Sequence, residues 1–417
     1  MSISKKDREI LRGLARRVAD IAALPEQAEK IRLWKACNDL KPERAMVLAI
    51  QQPWNEMADA WMTTECESEE VRSIEWSLRA AIVQHEHIPD DLPILDTWEV
   101  NIPAYGGGYD DYGFQLLTTH SGEQRGAYHI EPVIKCLDDM EGLHFRPITL
   151  DHAAADKQLD YYNDLFGDIM KVRKVGRLGW RYGLSRVLIH MIGLENMMLY
   201  MYDDPDLVHA LMGFLRDDYM NELDLLEREN AIGYNNTPRA NLGSGGLAYN
   251  SNLPIDGDDP CRAPLKDCWC WAESQETVGV GPKQFDEFVL DYQIPLMNRF
   301  GMVDYGCCEP LDYKLDALLA KVPHVRWLAV SPWSDRKLCA EKMGDKYVYV
   351  YKPNPSRICA PDAEWDAAEQ DVRETLDIAR GCPIHIVMKD TSTFHGEAER
   401  TTRWCEMAKR LAIEAAS

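Results

Sequence analysis

Long apolar runs are missing from this chain: no stretch of 18 consecutive hydrophobic residues exists, which argues against a membrane-spanning helix. The start, Met1-Ser2-Ile3-Ser4-Lys5-Lys6-Asp7, lacks the apolar core of a secretory signal. No GxGxxG follows any candidate strand, so a dinucleotide-binding fold has no support. The eleven histidines form no ligand motif. Internal repeats, low-complexity tracts and obvious linkers are absent too.

Positive charge is scarce in most of the chain. Residues 1–50 carry eleven Lys and Arg against seven Asp and Glu, a surplus of four, while the whole chain stands at −23, leaving −27 for the rest. So acidic a body argues against nucleic acid or an anionic membrane as the main partner. Twelve cysteines scattered without a secretory signal read as reduced thiols. The composition points to a soluble cytoplasmic protein, and 46% hydrophobic residues suffice for a large core.

Helical spacing of Ile10, Leu11, Leu14, Val18 and Ile21 predicts one or two surface helices within residues 5–44, broken at Pro25. This segment, residues 1–44, is read as an N-terminal helical extension to a main domain of residues 45–417. Ala45–Ile50 is a plausible first buried strand, and residues 68–88 a helix. The Gly/Tyr-rich loop from Ala104 to Gly113 offers Tyr105 and Tyr109 to a pocket. Residues 98–130 are expected to fold over a barrel mouth as an inserted loop or hairpin. His129, just after this loop, is the histidine assigned to a pocket.

Asp204-Pro205 starts a helix, with an acid at the N-cap and proline at the first turn. Candidate strands then fall at 231–235, Trp269–Ala272, Met302–Cys307, Arg326–Val330, Tyr347–Tyr351 and Ile384–Met388. Helical segments lie between several of them. Such alternation predicts parallel βαβ units, and with the earlier candidates a (β/α)8 TIM-type barrel.

Barrel enzymes place their chemistry where strands end. Read in order, those ends carry Asn235, Asn236 and Ser244-Gly245-Gly246; then Glu273-Ser274-Gln275-Glu276; then Cys307-Cys308-Glu309. Ser331-Pro332-Trp333-Ser334-Asp335, Lys352-Pro353-Asn354-Pro355 and Lys389-Asp390-Thr391 follow. Any single cluster could be a helix cap, but the ring as a whole reads as a site. Adjacent thiols beside carboxylates suggest zinc, which accepts both ligand types. Cys307 and Cys308 can reach one ion only if the backbone turns, since adjacent Cβ atoms on a strand point to opposite faces. Cys268-x-Cys270, between tryptophans, reads as core packing.

Trp271–Glu276, Tyr305–Pro310, Ser331-Pro332-Trp333, Lys352–Pro355 and Lys389-Asp390 together resemble a branch of the uroporphyrinogen decarboxylase superfamily. The resemblance covers roughly residues 150–415. It implies a distorted (β/α)8 barrel and, in the closest branch, a zinc-dependent methyltransferase working with a corrinoid protein. The arginine-rich motif of the porphyrin decarboxylase has no match here, so decarboxylation is the minor alternative, with a non-catalytic ligand-binding barrel as a third. The methyltransferase branch holds zinc with a His-x-Cys pair and a cysteine ending the last strand. Here Tyr305 or Gly306 occupies the histidine position, and the last strand ends in Lys389-Asp390-Thr391. The metal site is therefore rebuilt from Cys307 or Cys308 with Glu273, Glu276 or Asp390, or it is absent.

The implied activity moves a methyl group from a small O-, N- or S-methylated compound to Co(I) of a corrinoid protein, with a homodimer possible. Glu273, Glu276 and Asp390 are the candidate acids. Tyr105, Tyr109, His129, Gln275, Tyr305, Trp333 and Lys352 are the candidate substrate contacts.

Overall fold

A computed structural model describes residues 3–120, 128–239, 241–243, 245–322 and 324–417. Ser244 and the 121–127 portion of the expected lid lie outside the described residues. Helix α1 (Lys5–Ala22) begins where the Ser4 side chain accepts a hydrogen bond from the Asp7 amide. Its Leu11, Ala15, Val18 and Ile21 recur at helical spacing and are buried against Val71, Ile74, Leu78 and Ile82 of α3 (Glu69–His87), joined by Leu165 and Phe166. Pro25 starts α2 (Pro25–Asn38), as a proline can at a first turn. This second helix is more than a surface element. Its Trp34 is fully buried, donates to the Asp91 carbonyl at 2.8 Å and packs edge-on against His385.

The chain is a mixed α/β protein around one parallel sheet. Its members, all in pairs defined by register, are β1 (Met46–Ala49), β4 (Arg181–Tyr182), β5 (Trp269–Ala272), β6 (Met302–Tyr305), β7 (Val325–Val330), β8 (Val348–Tyr351) and β9 (Ile384–Met388). They lie side by side in the order β1-β9-β8-β7-β6-β5-β4, and every pairing is parallel. A separate parallel pair joins β2 (Thr97–Asn101) to β3 (Lys171–Val175). Both faces of the large sheet are buried, which is why its strands read as near-continuous apolar runs. On one face Val47, Cys270, Val303, Leu328, Tyr349 and Ile386 join the large core beneath the helices. On the other Met46, Leu48, Trp269, Met302, Trp327, Val348, Val350 and Val387 meet Trp34, Leu242 and Leu247.

Glycines make that second core possible. A Cβ on Gly246 would sit 2.2 Å from the Trp34 ring, and one on Gly245 2.7 Å from Trp327. The loop carrying them threads between tryptophans where a side chain of its own would not fit.

One expectation needs correction. Residues 231–235 form no strand; only Ile232 bridges, to Arg177 and Arg262. The Asn235 side chain instead donates to the Leu178 and Trp269 carbonyls and accepts from the Trp269 amide, replacing ladder bonds. The segment after β2 contains the expected hairpin, with Thr118–His120 antiparallel to Tyr128–Ile130. Its middle is pinned. Tyr112 is buried with its hydroxyl donating to Asp218, which also pairs with buried Arg146 at 2.7 Å. Among the described residues no helix is long and apolar enough to cross a membrane.

Candidate active site

Parallel strands send all their carboxyl ends to one edge, so the residues following β4 to β9 gather there. The turn after β6 decides how they meet. Gly306 continues the ladder, donating to the Ala272 carbonyl at 2.8 Å, and then bends at φ +104. A Cβ there would meet Leu311 at 2.7 Å and Ala329 at 3.1 Å, so only glycine suits the bend. The chain past it is held by Glu309, which accepts the Cys307 and Ser274 amides at 2.9 Å each. This clamp ties the loop after β6 to the loop after β5. The result brings Cys307 Sγ and Cys308 Sγ to 3.6 Å, meeting the condition on the backbone stated above. Cys307 is buried and Cys308 exposed.

Glu309 is wholly buried and faces inward to the clamp rather than to solvent. Lys314, also buried, donates to Ser274 Oγ at 3.0 Å and Thr277 Oγ1 at 2.8 Å, while Ser274 Oγ lies 3.5 Å from Glu309. Burial pushes the Lys314 ammonium down to about 8, opposed by the charge of Glu309.

Glu273 ends β5 with no exposed surface. Its Oε1 accepts from Arg181 at 2.7 and 3.1 Å, and its Oε2 from the Gln275 amide at 3.1 Å. Burial first, then the charges of Glu276 and Glu309, push its carboxyl up to about 7, with Arg181 pulling the other way. Gly183 leaves room for it: a Cβ there would lie 2.0 Å from Glu273 Oε1. Glu276 accepts from Ser185 at 2.7 Å, one residue group removed from Glu273.

Two lysines enter from β8 and β9. Lys352 donates to the Cys307 carbonyl, and Lys389 Nζ stands 3.9 Å from Cys307 Sγ. Asp390 lies 3.7 Å from both Lys389 Nζ and Cys308 Sγ, on a backbone held at φ +60. The hydrogen bond to Cys307 is the main cause holding the Cys308 thiol well above the usual thiol range, with burial second. Beneath them Asp304 is 1% exposed, and neither of its oxygens has a hydrogen-bond partner. Burial pushes its carboxyl well above the usual carboxylate value, while the charges of Lys352 and Lys389 pull the other way.

These residues do not fit a zinc centre. Among the described residues no group of three or more His, Cys, Asp or Glu side chains is placed to hold a metal ion. A dication between Cys307 and Cys308 would also face the Lys389 ammonium at close range, opposite to what a zinc site needs.

The edge thus brings together Glu273, Gln275, Cys307, Cys308, Lys352 and Asp390, with Glu276 beside them. Trp333, 70% exposed, ends β7 on the same edge. Tyr305 points the other way, its hydroxyl donating to buried Gln293 at 2.8 Å in the layer under the helices, because it lies one residue out of phase with inward-facing Asp304. Tyr109 packs at a tilt against His190 and accepts from Arg186. Tyr105 is 58% exposed on a short pair with residues 149–150. His129 lines a separate cavity of about 450 Å³ with Ile130, Pro132, Ile189 and Leu194, none of them part of the strand-end cluster. Cys268 and Cys270 are buried in the core, as read.

Arg181, Gly183, Asp304 and Lys314 were not singled out in the sequence. Asp304 carried a usable signal, a carboxylate inside the apolar run Met302-Val303-Asp304-Tyr305. Arg181 lies in, and Gly183 directly follows, a strand too short to show a period. Comparison with protein-family models and with curated proteins returns no match, so the functional argument rests on these side chains.

Proposed function

We propose that the chain is a (β/α)8-type barrel enzyme that moves a methyl group from a small methylated compound to the corrinoid of a partner protein. The observation carrying this is Glu273: a carboxyl with its pKa near neutrality, buried at the strand-end edge beside a thiol pair. A Co(I) corrinoid, when docked, supplies the nucleophile. The chain's own task is then to make the atom losing the methyl group a better leaving group, which a proton donor does best when its pKa lies near the working pH.

Arg181 stabilises the charged form of Glu273 and is itself 38% exposed at its side chain. A substrate group that draws Arg181 away removes that stabilisation, leaving Glu273 protonated and facing the substrate. Trp333 and the half-buried Trp271, over which Arg181 lies at 4.8 Å, offer aromatic walls.

The test mixes the purified chain, a corrinoid protein in its Co(I) state and a panel of O-, N- and S-methyl donors, and follows the loss of Co(I) absorbance. Turnover with at least one donor is expected, falling about 100-fold or more in Glu273→Gln, within the range of a lost general acid. A decarboxylase is the second reading, favoured by the approach of Lys352 and Lys389 to one point. Release of CO2 from a carboxylic acid with no methyl transfer would establish it instead. Binding without any turnover would leave a ligand-binding barrel.

A further inference from the structure

The two lysines at the strand-end edge have too little negative charge near them. Lys352 and Lys389 are 3% and 5% exposed, on adjacent parallel strands and in phase with one another along the inward-facing positions. A buried ammonium needs a compensating partner. Among the described residues, the one hydrogen bond made by the Lys352 side chain is to a backbone carbonyl, that of Cys307. Lys389 has Asp390 at 3.7 Å, a carboxylate 48% exposed at its side chain. Asp304, the carboxyl directly beneath, has neither oxygen hydrogen-bonded to them or to anything else among the described residues. Among the described residues the two cations therefore share one half-exposed carboxylate and the Cys307 thiol, 3.9 Å from Lys389 Nζ, while buried Asp304 hydrogen-bonds to neither.

We infer that Lys352 and Lys389 form a binding site for a small organic carboxylate, and that the substrate of this edge carries one. The inference rests on reading the edge as the active site, but not on methyl transfer. A carboxylate presents acceptor oxygens to both ammonium groups at once and delivers the single charge that they lack. Asp390 is then a resident competitor for Lys389. Its exposure and its 3.7 Å separation let it swing aside, and exposed Trp333 on the same strand-end edge suits an aromatic acid.

The test titrates the full chain, without corrinoid, by calorimetry with 4-methoxybenzoate and with its neutral isostere 4-methoxybenzamide. The acid is expected to bind at least tenfold more tightly, with the difference shrinking as salt is added. Lys389→Met and Lys352→Met should each abolish the preference. Equal affinity for acid and amide in the wild-type chain overturns the proposal, as does a preference that survives both substitutions. Should those variants fail to fold, Asp390→Asn decides: removing the competitor should tighten acid binding several-fold, and unchanged or weaker binding refutes the site. Because no corrinoid is present, failure here leaves methyl transfer to its own assay, and failure there leaves the anion site standing.

Discussion

Replacing Glu309 with glutamine would change one atom at the clamp between two active-site loops. The carboxylate accepts two backbone amides, from Cys307 and Ser274, each at 2.9 Å. Hydrogen bonds to a charged acceptor contribute about 1.5–3 kcal/mol each. In the glutamine variant one oxygen becomes an NH2 group that faces an N–H donor, so one bond is lost outright and the other drops to neutral strength. Lys314, linked to Glu309 through Ser274, also loses its nearest counter-charge while remaining buried. Breaking such a buried set costs about 3–5 kcal/mol. Urea denaturation followed by tryptophan fluorescence should show a loss of that size for Glu309→Gln. Adding Lys314→Met should recover at least about 1 kcal/mol relative to the sum of the single changes, since the two sites share partners. Hydrogen exchange at the Cys307 amide should speed up in parallel. A cost under about 1 kcal/mol, or strict additivity, would refute the clamp.

Gly183→Ala would push a Cβ to within 2.0 Å of Glu273 Oε1, so turnover should fall at least tenfold, while Gly179→Ala, with open space at its Cβ, should leave it unchanged. Gly246→Ala places a methyl 2.2 Å from the Trp34 ring, and overpacking of that kind should lower stability by about 1–3 kcal/mol, read as an earlier melting transition. Glu273 gives a signed pH test. Its folded pKa of about 7 exceeds the usual carboxyl value of 4.5, so between those values the folded chain holds more protons than the unfolded one. Its contribution to stability should therefore fall as pH rises from 4.5 to 7, and Glu273→Gln should remove that part of the slope; an identical profile in the variant would show the carboxyl is already ionised.

Strands with uninterrupted apolar character were legible. Val348–Tyr351 and Ile384–Met388 are buried on both faces, and composition alone marks such runs. Helix α1 was legible through its stripe, and the helix from Pro205 through Asp204, which caps the Leu207 amide as its residue type predicts. Residues 231–235 misled because Asn235 bonds main chain through its side chain, a geometry no periodicity encodes. Tyr305 misled for a different reason. Counting residues to a strand end gives proximity to the site but not phase, and Tyr305 is one residue out of phase. The partnership of Arg181 with Glu273 spans separate strands, and nothing in either segment announces the other. Pairings of that kind exist only once the sheet order is known.

The neighbour of β1 is β9, with Met46 opposite His385. During synthesis the apolar strand Met46–Ala49 therefore waits for a partner, Ile384–Met388, made far later along the chain. The same delay applies to Asn38, which bonds the Leu247 and Tyr249 carbonyls and accepts from the Trp327 indole. Contacts so distant in sequence form late and slow folding, and an unpaired strand edge is open to wrong partners meanwhile. A chain released before residue 384 would keep that edge bare, so truncated products should aggregate or be degraded rather than accumulate as folded fragments.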